Sequence, residues 1–227
     1  MQFDDLIEGV FITRENRFLS SVMINGVKTY AHLANSGKLP GLLSPGTRVW
    51  LTKVVHPNRK TKYDLTLVKN KEIFVSVDSR LPNILFEEAI HQKRLDQFAS
   101  SNIRHEVRLG ASRIDLLLTN VNQTCWVETK SVTLVEKGVA KFPDSPTKRG
   151  QRHLLELINE NRKGNKAVIA FIILRNDPVV FSPNWLVDVD FSRTLKEAKN
   201  DGVEIHAYTC QVSPQEIYLE KEIESII

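Results

Sequence analysis

Asp115 lies inside the run SRIDLLLT (112–119), and Glu128 and Lys130 lie at the end of the run CWVETK (125–130). Both runs are aliphatic or aromatic apart from these groups, so the charges fall among core-type neighbours. Burying a carboxylate beside Ile114, Leu116, Trp126 and Val127 costs free energy unless the charge is paired or holds a cation. If the runs are adjacent strands, the 13-residue spacing between the carboxylates leaves room for a hairpin, and the two groups can meet. Two carboxylates and a backbone carbonyl make an oxygen-rich site suited to a hard cation such as Mg2+ or Mn2+. Lys130 is two residues after Glu128 and, in a strand, points to the same face. An ammonium there can orient a water or balance charge in a transition state. Together the residues form a kit for metal-assisted phosphodiester hydrolysis. They also fit a plainer arrangement, with Glu128 and Lys130 as a salt bridge at a strand end and Asp115 at a turn. Glu-x-Lys by itself is weak, since about one occurrence is expected by chance in a chain of this length.

The elements that must position these residues can be read from the pattern. The first 80 residues read as short strands: FLSSVMI (18–24), VKTYAHL (27–33), TRVWLTKVV (47–55), YDLTLVK (63–69) and EIFVSV (72–77). Asn25-Gly26 is a strong hairpin signal, because both turn positions favour positive φ. Five strands and a preceding segment fit a small barrel of the OB type. Near Pro82 the pattern changes. Residues 84–99 show helical spacing of Ile84, Leu85, Ala89, Leu95 and Phe98, and three strands follow at 106–110, 112–119 and 125–130. A helix at 149–164 with Thr147 as its cap and Gly164 as its stop leads to AVIAFIIL (167–174), apolar on both faces as buried parallel strands are. A helix at 193–202, a strand at 203–212 and a short helix after Pro214 complete the chain. This order predicts an α+β protein: a barrel, then an α/β domain with a mixed central sheet.

Charge is distributed unevenly. Residues 1–80 hold 12 Lys and Arg against 7 Asp and Glu, whereas the remainder holds 19 against 20. Seven basic residues fall between Arg48 and Lys71 with one acid, Asp64, an excess that suits a phosphate backbone or simply a solvated face. Phe18, Tyr30, Trp50 and Tyr63 could stack on bases but also serve as barrel core. The longest apolar run has eight residues, against about 20 needed to span a bilayer, and the start MQFDDLIEGV carries no basic leader region. Cys125 and Cys210 read as reduced core thiols of a cytoplasmic protein. The six histidines show no metal-ligand spacing.

The order helix, strand with Asp, strand with Glu-x-Lys, helix resembles the PD-(D/E)xK nuclease superfamily. The whole chain more closely resembles the sugar fermentation stimulation protein A family of prokaryotes. The matching stretches are RFL (17–19), NSG (35–37), PG (45–46), SRIDLLL (112–118), VETKSVTL (127–134), FPDSPTKRGQRHLLEL (142–157) and GVEIHAY (202–208). The resemblance implies an N-terminal OB-fold over 1–80 and a nuclease-like domain over 81–227. It also implies DNA binding largely indifferent to sequence, with a loosely defined link to sugar metabolism. By position, Asp115, Glu128 and Lys130 match the superfamily's acidic and lysine residues, and Thr129 would add a carbonyl ligand. A helical glutamate would be Glu88, with Glu87 its neighbour, and a glutamine used by some exonuclease branches would be Gln151. Ile114 stands where many members have proline. Arg17, Lys53, Arg59, Lys60 and Lys62, with Lys148, Arg149 and Arg152 at the start of the second helix, form the expected nucleic-acid-binding set.

Two functions follow. One is a Mg2+- or Mn2+-dependent nuclease acting on DNA, RNA being the alternative polymer. The other is a DNA-binding regulator that keeps the nuclease fold as a scaffold. A remoter third is a binder of sugar or nucleotide at the barrel.

Overall fold

Asn25 (φ 48°) and Gly26 (φ 78°) form the expected tight turn between β2 (Leu19–Ile24) and β3 (Val27–His32). The computed structural model describes residues 1–99, 102–121 and 123–227. Ahead of the hairpin, β1 (Ile7–Asn16) pairs with β2 and with β4 (Arg48–Lys53). Next, β5 (Tyr63–Asn70) pairs with β4, and a parallel contact from β3 to β5 (Ala31 with Tyr63, His32 with Asp64) closes the barrel. β6 (Ile73–Ser76) extends β5. Phe11, Val22, Leu33, Val49, Leu51 and Leu65 fill the interior.

Trp50 and Leu67 do not belong to that interior. They face the second domain and join its core, so the barrel is packed onto its neighbour by apolar burial. A backbone bond from Ser76 N–H to the Leu174 carbonyl (3.0 Å) adds to this seam.

The second domain begins with α1 (Leu81–His91). Its sheet uses β7 (Asn102–Leu109), β8 (Ser112–Thr119), β9 (Thr124–Val132), β12 (Lys166–Ile173), β14 (Glu204–Val212) and β15 (Ile217–Glu222), ordered β15-β14-β12-β9-β8-β7. β12 runs parallel to both β9 and β14, which explains why it is apolar on both faces. The other pairings are antiparallel, giving a mixed sheet. α1 covers one face; α2 (Lys148–Arg162) and α3 (Val189–Asn200) cover the other. A small second sheet joins β10 (Val135–Glu136), β11 (Val139–Phe142), β13 (Val180–Pro183) and β16 (Glu224–Ser225).

Three expectations are corrected. The first helix ends at His91, because the chain turns at Lys93 (φ 55°); Leu95 and Phe98 are buried from an irregular segment, and Ile84 is exposed. The segment after Pro214 is a strand: Ile217 and Leu219 are buried and alternate with less buried neighbours, the period of β structure. Of the four aromatic residues, Trp50 is buried, whereas Phe18 and Tyr30 are exposed. Both cysteines are free and buried; burial pushes the Cys125 thiol up to about 12. Among the described residues, no helix is long and apolar enough to cross a membrane.

Candidate metal centre

The β8–β9 ladder explains how Asp115 and Glu128 come together. Its pairs run from Thr119 with Thr124 to Leu116 with Val127, so the next position in register places Asp115 opposite Glu128. Pairing stops there. Asp115 uses the opening: its Oδ2 accepts from the Thr129 amide at 2.8 Å and the Thr129 hydroxyl at 3.2 Å. That hydroxyl also bonds Asn83, from the first turns of α1. Asp115 is therefore held mid-strand by a backbone donor, not at a turn.

Glu128 is 1% exposed. Its Oε1 bonds Lys130 Nζ and His153 Nδ1, while its Oε2 is buried and has no partner. His153, also 1% exposed, projects from α2, and its Nε2 faces Arg149 Nε at 3.3 Å. The salt bridge that the sequence allowed between Glu128 and Lys130 is present, yet it satisfies only half of the carboxylate.

The two acids are tuned in opposite directions. Burial raises the Asp115 carboxyl, and the charge of Glu128 raises it further. Burial also opposes the ionised form of Glu128, but the charges and hydrogen bonds of Lys130 and His153 prevail and hold it below its ordinary value. Burial and opposite local charge thus pull two nearby carboxylates apart in pKa. The cleft has a volume of about 350 Å3 and is lined by Asn83, Glu106, Asp115, Glu128, Lys130 and Arg149 among others.

Asp115, Glu128 and the Thr129 carbonyl offer oxygen donors only, and an orphaned buried carboxylate oxygen such as Glu128 Oε2 is what a cation would satisfy. Among the described residues, no cluster of three or more His, Cys, Asp or Glu side chains is arranged to hold a metal. The set therefore rests on two side chains plus backbone.

The remaining expected residues separate. Glu88 points away, its carboxylate taking the Met1 ammonium at 2.7 Å, and Glu87 pairs with His91 and His105. Gln151 donates to Thr194 of α3 at 3.2 Å and does not line the cleft. Lys148, Arg149 and Arg152 are exposed along the start of α2, which Thr147 caps by accepting from Gly150 N–H at 3.0 Å. Lys53, Lys60 and Lys62 are exposed around the β4–β5 connection, but Arg59 is engaged by Asp64. Arg17 is exposed in the β1–β2 turn, 5.5 Å from the Phe18 ring.

Asn83, Glu106 and Arg14 do not stand out in the sequence. Arg14 fastens the NSG loop by donating to the Gly37 (2.7 Å) and Asn35 (2.8 Å) carbonyls. The loop also meets the second domain, where Asp144 accepts from Leu39 N–H at 3.0 Å. A further polar cavity of about 300 Å3, lined by Asn35, Ser36, Gly37, Lys130, Asp144 and Arg149 among others, lies along this junction and shares Lys130 and Arg149 with the cleft.

Comparison with known proteins agrees with this architecture. A family model described as the SfsA N-terminal OB domain matches residues 12–77, and one described as the sugar fermentation stimulation protein RE domain matches residues 80–216. A sugar fermentation stimulation protein homolog of Moorella thermoacetica is 44% identical over 218 residues, covering 95% of this chain and 94% of the homolog. One from Clostridium perfringens is 38% identical over 230 residues and covers both chains fully. A solved structure described as Pyrococcus furiosus SfsA in complex with Ca2+ superposes with a TM-score of 0.94 at 33% identity, covering 100% of this chain and 98% of the other.

Proposed function

The chain belongs to the sugar fermentation stimulation protein (SfsA) family, and from that premise we propose that it is a DNA-binding protein with a Mg2+- or Mn2+-dependent phosphodiester-cleaving centre. The observation that carries this reading is the buried, unpartnered Oε2 of Glu128 in a cleft shared with Asp115 and Lys130. The name of the Pyrococcus furiosus structure, which records Ca2+, supports a site for a hard cation in a relative.

In this reading Asp115, Glu128 and the Thr129 carbonyl hold the cation. When bound, it supplies Lewis acidity toward a phosphoryl oxygen and a water that ionises near neutral pH. The protein's own groups do the rest. The Thr129 amide fixes the Asp115 carboxylate, so that little reorganisation accompanies the reaction. Lys130, held on Glu128, presents an ammonium that balances charge developing on phosphate. His153 donates to Glu128 from the closed side of the site and keeps that carboxylate ionised and oriented. Arg149, at the rim, supplies a donor for a phosphate oxygen. The exposed lysines of the β4–β5 connection hold backbone phosphates without reading bases.

A second reading has one observation in its favour. Lys130 and His153 already give Glu128 Oε1 two partners, as in a structural network within a DNA-binding scaffold. A gel assay on linear, nicked and single-stranded DNA with Mg2+, Mn2+ or EDTA separates the two. Cutting that needs metal and is lost in Asp115→Ala supports the nuclease. Retention of DNA without cutting, unchanged by EDTA or by Asp115→Ala, supports the scaffold.

A further inference from the structure

Glu106 holds an unusual backbone. Among the described residues, the other non-glycine positions with positive φ (Asn25, Leu39, Lys71, Lys93 and Lys137) fall in turns or loops, but Glu106 (φ 49°) lies in the interior of strand β7. Glutamate gains nothing locally there, since the left-handed region favours glycine and then asparagine. Strain of this kind in an element's interior persists when something else requires the residue's direction.

The sheet register says what that direction serves. β7 and β8 pair His105 with Leu116 and Val107 with Ile114, so Glu106 stands opposite Asp115. Asp115 in turn stands opposite Glu128 in the register of β8 and β9. Three carboxylate residues thus occupy one transverse row across three adjacent strands, and all three line the same cleft. The buried Glu128 Oε2, without a partner, lies in the same row.

We infer that Glu106, exposed and not gathered with Asp115 and Glu128 in the structure itself, turns its carboxylate to the cation when one binds and becomes the third carboxylate of the metal centre, reaching it from the sheet edge in place of a glutamate on the preceding helix. The inference rests on the metal-centre reading above. It assigns the strained backbone of β7 to aiming Glu106 into the cleft. It also supplies the acid that α1 does not, since Glu88 and Glu87 have other partners.

The test is Mn2+ binding, followed by the electron paramagnetic resonance signal of free Mn2+, for the parent protein, Glu106→Gln, Glu106→Asn and Asp115→Asn. Glu106→Gln keeps the size and removes the charge. Glu106→Asn tolerates positive φ and shortens the side chain, so it remains folded by circular dichroism. The expected result is a dissociation constant raised about tenfold or more in both Glu106 variants, because affinity for a hard cation follows the number of charged ligands. Affinity within about twofold of the parent in both overturns the inference, while loss of affinity in Asp115→Asn alone leaves the two-carboxylate centre standing. A parent protein that binds no Mn2+ at millimolar concentration overturns both readings.

Discussion

His153 Nδ1 and Glu128 Oε1 share a hydrogen bond between two side chains that are almost wholly sealed from solvent, one on α2 and one on β9. The bond ties the helix layer to the strand that carries the candidate centre. His153→Ala removes a partner from a buried carboxylate and leaves a cavity, and is expected to destabilise the fold by about 2–4 kcal/mol. Urea unfolding measures this; a loss below about 0.5 kcal/mol would mean that the bond is incidental.

Gly37 lies where the barrel meets Asp144 of the second domain. A Cβ there would lie 2.5 Å from Asp144 Oδ2 and 3.0 Å from Asn35 Oδ1. Asp144 cannot swing away freely, because its Oδ2 carries the Leu39 N–H bond. Gly37→Ala is therefore expected to destabilise the protein by about 1–3 kcal/mol. Combining it with Asp144→Ala should cost less than the sum of the two single changes, because the second removes the clash. Strict additivity in thermal unfolding would contradict this.

Asp64 gives the acid limb of stability a defined sign. Burial alone would raise its carboxyl, but hydrogen bonds from Arg59 and Arg80 and their charges hold it below its ordinary value. A carboxyl with a folded value below its unfolded one stabilises the fold at pH above the unfolded value. That contribution fades as pH falls through the folded value. Asp64→Asn is expected to lower stability at neutral pH and to flatten its decline below about pH 4. Thermal unfolding from pH 7 to pH 2.5 shows this; parallel curves for parent and variant would refute it.

DNA affinity should depend on salt more than on sequence. Replacing Lys53, Lys60 and Lys62 with alanine is expected to weaken binding equally for unrelated sequences. It should also reduce the slope of log affinity against log salt by about 0.9 for each duplex phosphate that the variant no longer neutralises. An unchanged slope would place the DNA elsewhere. Arg59→Ala is expected to change the slope less, because Arg59 is engaged by Asp64.

Periodicity decides how much of this architecture is legible in the sequence. The barrel, β8, β9 and β12 can be read because their apolar residues follow strand spacing or run uninterrupted between turn signals. Asp115, Glu128 and Lys130 stand out as charges against that pattern. Residues that reach the site from helices are harder to read. Successive helical positions rotate by about 100°, so small errors of phase redirect a side chain completely. Gln151 and His153, two residues apart on α2, point to α3 and to Glu128 respectively. Glu88 likewise lies away from the cleft, whereas Asn83, about one turn and a half earlier on α1, reaches the Asp115–Thr129 bond. His153 does carry a signal, being a polar residue on the stripe of Gly150, Leu154 and Leu157 that α2 buries. Glu106 carries none, since its backbone angle is a product of tertiary structure. The tail after Pro214 reads as a helix because its short alternation, IYLEKE, is recognisable as a strand only beside β14.

In the function proposed above, the Glu128 carboxylate serves cleavage and not merely packing. The most direct measurement is single-turnover cleavage of end-labelled DNA by the parent protein and Glu128→Gln in Mn2+, with DNA affinity measured on the same samples. The expected result is cleavage by the parent, a loss of about 100-fold or more in the variant, and DNA affinity within a few-fold of the parent's. Equal cleavage by both proteins, or intact DNA with the parent at every metal concentration, would contradict it.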